Sequence, residues 1–511
     1  MIEGKLHGGF NAGLNFRHAI NLSSVAPLLL TEFLVAVILA SPVARAGQAK
    51  EPPGSTTTNA VAEVGTNPEN LKKQTHIVLA TNLPAAAEQG LRTNKPPKTF
   101  GWNSHWDGWD GLYLRLSSKQ PLGGTFDVRT NRYGFQLSET QMEGKIGAKL
   151  AVDAAGFVVG KQFTDFDGGV EVRRARVYAK GDCLLLLPVS YELEIGYIPG
   201  SFYIENSFLE FHRLGILDFL GTLKIGQYQV PMSMVNYASS RDMVLMEPAA
   251  PVAALAPGVN AGIQVGQPVL GQRMTWAMGL FTDGVGVGSD FGEATKDFGR
   301  VVGRLTGLPI FKCDPEHPES QSLLHLGLSG SAVYAGQSTV QYRSRPESRL
   351  APYVVDTGKI DARGAYTFGA EAAWVDGPLS IGGELLHSWV PETTGQQLDF
   401  GGFYGSASWF LTGESRPYDL TKGTFGRVIP KRNFNFGHGG WGALEVAGRY
   451  SYVNLNSGNI EGGRMSMVMA GVNWYLHSHL KWRFDYGVGH VSEHNPEGFM
   501  NIFQTRIEVD F

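Results

Sequence analysis

The chain ends in the stretch Asn501-Ile-Phe-Gln-Thr-Arg-Ile-Glu-Val-Asp-Phe511, whose polarity alternates from residue to residue. Successive side chains of a strand point to opposite faces, so this stretch has one apolar face and one charged face. Such a strand fits a wall with lipid on one side and water on the other. The same split occurs in 467–476 and 480–488. The lipid-facing set is Phe503, Thr505, Ile507, Val509 and Phe511, and the water-facing set is Gln504, Arg506, Glu508 and Asp510.

Segments of this kind recur from Glu143 to the end of the chain, separated by clusters of Gly, Pro, Asn, Asp and Ser. The pattern predicts an all-β protein, a transmembrane antiparallel β-barrel of sixteen strands. The strands of a soluble β-sandwich would also alternate in polarity, but they would not keep a charged face on strand after strand or end on an aromatic residue. The predicted strands are 143–153, 171–181, 186–198, 206–213, 220–230, 259–267, 272–282, 299–307, 322–334, 366–376, 379–390, 400–412, 440–454, 464–476, 480–490 and 500–511.

An even number of strands places both termini of the chain on the periplasmic side of an outer membrane. Residues 376–378 and 477–479 are then tight turns on that side. A barrel of sixteen strands is wide enough to hold an aqueous channel. Longer outward-facing loops are predicted at 231–258, 283–298, 335–365 and 455–463.

Three segments precede the barrel. Residues 1–46 have the basic, apolar and Ala-Arg-Ala sections of a secretory signal peptide. A membrane anchor is the alternative, but Thr31 and Glu32 interrupt the apolar run, which is too short to span. Residues 47–99 are rich in Pro, Ala, Thr, Asn and Lys without periodicity, which predicts a flexible periplasmic tether. Residues 100–142 predict a small β-rich segment, whose tryptophans could also form a sugar-binding platform.

The composition argues against several classes of protein. The formal net charge is −4, which gives no reason to expect a nucleic-acid partner. The mean hydropathy is −0.11, and no stretch after the signal peptide approaches the roughly 18 apolar residues of a spanning helix. Cys183 and Cys313 make neither a disulfide framework nor a metal site. The sequence lacks Gly-x-Ser-x-Gly and His-Glu-x-x-His, and we expect no catalytic residues, metal or cofactor.

Several motifs resemble the phosphate-selective porin O and P family. The resemblance covers essentially all of 143–511, and its C-terminal part is the most specific. The motifs are Glu171-Val-Arg-Arg-Ala-Arg-Val177, Ile225-Gly-Gln-Tyr-Gln-Val-Pro231, Ser239-Ser-Arg241 with Met246-Glu247, Arg304 to Pro309, Leu411-Thr-Gly-Glu414, Trp441-Gly-Ala-Leu-Glu445 with Arg449-Tyr-Ser451, and Gly471-Val-Asn-Trp-Tyr-Leu476.

The resemblance implies a homotrimer of sixteen-stranded barrels, an arginine-lined lumen and a constriction loop that folds inward after the fifth strand. It implies passive diffusion of small anions, such as phosphate or polyphosphate, across the outer membrane. It makes Arg241 a candidate constriction ligand beside Arg173, Arg174 and Lys224. Relatives commonly place a lysine just before the proline of this loop, whereas this chain has Gln229 and so lacks that positive charge.

Strand parity selects channel-facing residues independently of the resemblance. If Ala175 and Val177 face lipid, Arg174 and Arg176 face the channel. An arginine that faced lipid near the midplane would cost about 2 to 4 kcal/mol. A row of guanidinium groups suits a multivalent oxyanion because each offers a planar fork of donors and keeps its charge. The alternative is that the arginines only neutralise the charge of acidic side chains in the lumen, such as Glu508. The predicted anion pathway comprises Arg173, Arg174, Arg176, Lys224, Arg241, Arg273, Arg300, Arg304, Arg449 and Arg483.

The loop 231–258 should narrow the pore without repelling anions, because it is rich in Met and Ala and has few acids. Parity also turns Arg506 inward, but we expect it near the wider periplasmic end of the bore.

Three functions remain open: an anion-selective porin, a general diffusion porin of the same fold, and a barrel enzyme. The predicted lipid faces offer no Ser and His pair for an enzyme. The predicted partners are outer-membrane lipid, small anions, further copies of the chain, and the barrel-assembly machinery, which Phe511 would engage.

Overall fold

The structure is a computed structural model that describes residues 101–511, except for those masked within that range. The predicted signal peptide and tether lie outside the described residues. The gaps are 107–111, 118–128, 132–133, 137–139, 185–186, 199–200, 213, 283–297, 314–319, 335–338 and 438.

Sixteen strands follow one another around a single wall. They are β1 (Thr140–Val159), β2 (Gly169–Leu184), β3 (Pro188–Ile198), β4 (Ser201–Phe211), β5 (Thr222–Gln229), β6 (Val259–Val269), β7 (Met274–Thr282), β8 (Phe298–Lys312), β9 (Ser322–Tyr334), β10 (Gly364–Asp376), β11 (Leu379–Pro391), β12 (Gln397–Phe410), β13 (Ala443–Ser457), β14 (Ile460–His477), β15 (Leu480–Ser492) and β16 (Gly498–Asp510).

Each strand pairs antiparallel with its neighbours in the chain. The wall closes because β16 pairs with β1, from Met500 opposite Val159 to Asp510 opposite Lys149. Closure leaves no free strand edge along this seam. The predicted sixteen-stranded antiparallel barrel is therefore confirmed.

The two faces of the wall differ in polarity as predicted. On β16, Phe503 and Ile507 point outward and are 52% and 45% exposed, whereas Arg506 between them is fully buried on the inside. The outer face of β15 carries Phe484 and Tyr486, and both are exposed. An apolar exterior with charges turned inward is the arrangement that a lipid environment requires.

We call the barrel end at which Phe511 lies the C-terminal rim and the opposite end the loop rim. Tight turns at Gly377 and at Ser478 join strands at the C-terminal rim, as predicted. The prediction of a long loop at 455–463 was wrong, because β13 and β14 continue toward each other until Ser457 pairs with Ile460. Gly458 adopts a φ of 55° in the two-residue turn between them, a backbone conformation that such hairpin turns require.

The connection between β5 and β6, residues 231–258, enters the barrel, and we call it the inner loop. It contains the short helices α1 (Met234–Tyr237) and α2 (Ala250–Leu255). Its buried residues include Met232, Leu245 and Val252. The predicted inward-folded loop is therefore confirmed. Across the described residues, we find no helix with the length and apolar character needed to cross a bilayer.

Two further connections are long. The outer loop between β9 and β10 pairs Thr339–Val340 with Ile360–Asp361 and Arg343–Ser344 with Val355–Asp356. At the C-terminal rim, residues 411–442 join β12 to β13 and pair Tyr418–Asp419 with Thr424–Phe425, and we call them the rim segment. A 3-10 helix, Gly215–Leu220, lies between β4 and β5.

The N-terminal part of the described chain extends the wall. The strands Gly101–Trp106 and Leu112–Ser117 form a hairpin whose second strand pairs with the start of β1. Because Phe511 ends opposite Ala148, this part of β1 projects past the seam, and the hairpin supplies its edge with backbone partners. A second small hairpin pairs Arg129–Asn131 with Gly134–Gln136.

The seam gives a stability prediction. Arg506 donates hydrogen bonds of 2.6 Å to both carboxylate oxygens of Asp153. Removing one partner of a buried ion pair costs about 3 to 5 kcal/mol, so Asp153→Asn should lower the temperature at which the barrel loses its compact, fast-migrating form in SDS gels. Glu493→Gln breaks an exposed pair with Arg464 and should matter far less. Equal unfolding temperatures for the two variants would contradict this prediction.

Candidate functional site

The inner loop is held against the inside of the wall by apolar contacts. Leu245 is buried in the same cluster as Met465, Met467 and Met469 of β14. A β-carbon at Gly471 would come within 2.4 Å of Leu245. The glycine therefore leaves the space in which the loop reaches the wall.

A carboxylate fixes the start of the inner loop. Glu384 of β11 accepts hydrogen bonds of 3.0 Å from the backbone N–H groups of Met234 and Val235. It also accepts a bond of 2.7 Å from the Tyr404 hydroxyl. These hydrogen bonds satisfy the carboxylate, and they also give acceptors to N–H groups at the beginning of α1 that have no partner within the helix.

Two arginines lie fully buried between the wall and the inner loop. Arg483 donates to the carbonyl oxygen of Arg241 at 2.5 Å, and Arg506 donates to that of Met246 at 2.7 Å. Arg506 also meets the carboxylate of Glu247 at 2.5 Å. The expectation that Arg506 lies at the wide end of the bore was wrong, because the inner loop reaches down to its level.

Glu247 is the centre of an ion-pair cluster on the inner loop. Its carboxylate lies 3.1 Å from Arg173 and 2.5 Å from Arg506. Burial would raise the pKa of Glu247, but the guanidinium groups of Arg173 and Arg506 outweigh burial and hold that pKa far below its usual range. Glu247 is therefore ionised at neutral pH and pulls the loop toward β2 and β16.

A β-bulge explains why two adjacent arginines of β2 both reach the interior. Ala151 pairs with Arg174 and Val152 pairs with Val172, so Arg173 is left without a partner in β1. The extra residue shifts the alternation of side chains by one position. Arg174 then bonds Glu508 at 3.0 Å, and Arg173 reaches Glu247.

A second cluster surrounds the last residue of β16. The carboxylate of Asp510 accepts hydrogen bonds from Arg241 of the inner loop and Arg427 of the rim segment. Asp242 lies 3.3 Å from Arg241 as well. The side chains of Arg241 and Arg427 are 27% and 26% exposed. Two segments that enter from opposite rims therefore converge on one carboxylate.

The rim segment is bound to the wall on the far side of the barrel from Asp510. Arg304 of β8 donates to the carbonyl oxygens of Lys422 and Gly423 at 2.9 and 2.7 Å. It also pairs with Glu371 at 2.5 Å. A β-carbon at Gly423 would come within 2.4 Å of Thr306. Glycine is therefore needed where this segment touches β8.

Two more predicted arginines are paired with buried or partly buried acids. Arg176 lies 3.3 Å from Glu194 and 3.0 Å from Glu205. Arg449 bonds Glu347 of the outer loop through its Nε atom at 3.1 Å. Both arginines are under 10% exposed.

The remaining predicted residues lie outside the two clusters. The Lys224 ammonium group is 3.9 Å from Glu210 and 3.5 Å from the centre of the Phe208 ring. Arg300 donates to the Ser331 hydroxyl at 3.0 Å. Arg273 lies in the exposed turn before β7, at the C-terminal rim.

Several ion-pair partners in the lumen were not predicted from the sequence. Arg416 and Arg427 belong to the rim segment, and Arg416 lies 2.6 Å from Glu445. Glu347 comes from the outer loop. The signal that could have identified the rim segment is its length, because it stands where a short turn is usual. Within the described parts of the chain, no group of three or more His, Cys, Asp or Glu residues could hold a metal ion.

The chain is similar to several known proteins. An uncharacterised protein of Caulobacter vibrioides is 27% identical over 365 residues, which are 67% of this chain and 68% of that protein. Porin O of Pseudomonas aeruginosa is 27% identical over 158 residues, which are 28% of this chain and 35% of that protein. An anion-selective porin from Comamonas acidovorans aligns with a TM-score of 0.46 at 12% identity, over 73% of this chain and 100% of that one.

The model of a protein family, phosphate-selective porin O and P, matches residues 145–511. The match begins in β1 and ends at the last residue, so it spans the whole barrel. The chain therefore belongs to the phosphate-selective porin O and P family and is an outer-membrane porin, a channel rather than an enzyme.

Proposed function

We propose that the barrel passes small anions, phosphate among them, by passive diffusion. One observation carries the proposal: in the ion pairs of Arg173, Arg241 and Arg427, the guanidinium group is more exposed than its carboxylate partner. Arg173 is 21% exposed, against 12% for Glu247. A passing ion therefore meets the positive member of the pair first.

The ion pairs around Asp510 show the same difference in exposure. Arg241 and Arg427 are each more than 25% exposed, whereas Asp510 is 10% and Asp242 is 9% exposed. The charges balance in number, but the guanidinium groups lie on the water side. Their field attracts anions, and each can offer a fork of donors to an oxyanion.

The buried arginines contribute less directly. The side chains of Arg174, Arg304 and Arg449 are at most 7% exposed and are paired with carboxylates. Gln229 donates to the carbonyl oxygen of Pro257 at 3.3 Å and brings no charge. We therefore propose a modest anion preference rather than a tight phosphate site.

A general diffusion porin is the second candidate, because carboxylates neutralise much of the wall. The two functions differ in one measurable quantity, the reversal potential of a single channel in a salt gradient. A non-selective pore would give a reversal potential near zero. Phosphate added to the chloride solution would then show whether phosphate competes for the same path.

We expect the double variant Arg241→Gln, Arg427→Gln to lose most of the anion preference, because both exposed guanidinium groups vanish while Asp510 keeps its charge. The measurement is the reversal potential of purified protein in a planar bilayer. Lys312→Gln is the control, since Lys312 is an exposed cation at the end of β8. A double variant that stays as anion-selective as the wild type would refute the proposal.

We also propose that three barrels form a trimer in the outer membrane. The apolar outer face supports contact with lipid. We propose that the chain is exported by a signal peptide in residues 1–46 and delivered to the barrel-assembly machinery through its last strand. In the folded barrel, the Phe511 carbonyl oxygen accepts bonds from the Ala148 N–H at 3.0 Å and the Tyr178 hydroxyl at 2.9 Å.

Deletion of residues 47–99 should leave trimer assembly intact, because the barrel closes through contacts that begin at β1. Outer-membrane fractions would be run on SDS gels with and without heating. The full-length chain is the control, and trimers that persist until heating are the expected result. Loss of those trimers in the deletion would show that 47–99 takes part in assembly.

A further inference from the structure

The stretch 241–247 of the inner loop has an unusual set of backbone partners. It belongs to no helix or strand, yet each of its seven consecutive carbonyl oxygens accepts a hydrogen bond from a side chain. In chain order the donors are Lys481 and Arg483, then Arg416, Arg483, Asn473, Arg483, Arg506 and Arg449.

Arg483 holds the middle of this stretch. Its guanidinium group bonds the carbonyl oxygens of Arg241, Met243 and Leu245 at 2.5, 3.2 and 3.4 Å. A guanidinium group carries five N–H donors in a planar fork, so one side chain can reach several carbonyls. The Asn473 amide bonds the carbonyl of Val244 at 2.7 Å between them.

The stretch needs such donors because it has no regular structure of its own. A buried carbonyl without a partner is strongly disfavoured. Five different elements supply the donors: β13, β14, β15, β16 and the rim segment. Asp485 of β15 in turn accepts a hydrogen bond of 2.9 Å from the N–H of Met246. The wall therefore determines the path of the loop through its backbone and not only through apolar contacts.

The donors are also shielded from the lumen. The side chains of Arg483 and Arg506 are fully buried, and those of Arg416 and Arg449 are 3% and 5% exposed. A passing ion cannot contact a guanidinium group that is enclosed in this way. Arg449 and Arg483, which were predicted to lie on the anion pathway, bind carbonyl oxygens of the loop and buried carboxylates instead.

We infer that Arg483, Asn473 and the neighbouring wall donors are positioning residues that fix the course of 241–247 and thereby hold Arg241 at the constriction. They set the width and steadiness of the pore through the loop backbone. The inference does not depend on anion preference, since a fixed loop would equally define a non-selective pore.

The test compares a charged donor with a neutral one. Arg483→Met removes three carbonyl contacts, an ion pair with Glu508 and one charge. Asn473→Ala removes one carbonyl contact and a hydrogen bond to Glu445 without changing charge. Matched controls are Arg363→Met and Asn501→Ala, which alter an exposed arginine and a partly exposed asparagine outside this stretch. Each full-length variant would be recorded as single channels for conductance, open-channel noise and reversal potential.

Loop release would be measured chemically as well. Ala249 is 1% exposed, so a thiol at Ala249→Cys, with Cys183→Ser and Cys313→Ser, should react slowly with a small methanethiosulfonate. We expect Asn473→Ala to raise the noise and to speed labelling about tenfold, as loss of its hydrogen bond to the loop backbone allows, with the reversal potential unchanged. Arg483→Met should speed labelling further, and the controls should match the parent protein.

The inference fails if Arg483→Met shifts the reversal potential as far as is expected of the double variant Arg241→Gln, Arg427→Gln, while noise and labelling stay at parent values. That result would make Arg483 part of the ion path. If Arg483→Met does not assemble, Asn473→Ala decides alone. Parent-like noise and labelling in Asn473→Ala would then overturn the inference, and faster labelling with higher noise would support it.

Discussion

A buried carbonyl must accept a hydrogen bond, and a guanidinium group cannot face hydrocarbon; the inner wall of this barrel meets both requirements with the same side chains. Lipid forces the arginines of β13, β15 and β16 to point inward. Inside, the stretch 241–247 of the inner loop has no regular structure and offers carbonyls and carboxylates. Arg483 and Arg506 bind both kinds of acceptor. The path of the inner loop therefore depends on the polarity that the lipid imposes on the wall.

The strands could be predicted from the sequence because the period of two residues is local. Sixteen strands were found in this way, and parity turned Arg304, Arg449 and Arg483 inward. The inward position of Arg173 depends on a bulge in the pairing of β2 with β1, and alternation within one strand does not reveal a bulge. The entry of the rim segment depends on contacts between Arg304 and Gly423, which are far apart in the chain. Such contacts leave no periodic signal.

The many buried ion pairs explain why the inner loop follows one defined path better than they explain its stability. The free energy needed to remove two charges from water cancels much of the free energy gained from their attraction. A buried pair therefore adds little net free energy of folding. An alternative path for the inner loop would leave Glu247 or Arg506 buried without its partner, and that is expensive. Charge matching therefore disfavours other courses of the loop. This specificity matters in a pore, because a loop that moves changes the width of the channel.

Selectivity in such a lumen follows from which charge faces the water, and the number of arginines is a poor guide to it. A column of arginines in the sequence suggests a ladder of anion sites. In the structure, most of these guanidinium groups are hydrogen-bonded to carboxylates and carbonyls. A guanidinium group that is enclosed by protein acts on a passing ion only through its electric field. Arg241 and Arg427 differ because about a quarter of each side chain is exposed. Both lie on segments that enter the barrel from outside the strands, so strand polarity alone cannot identify the groups that a passing ion would touch.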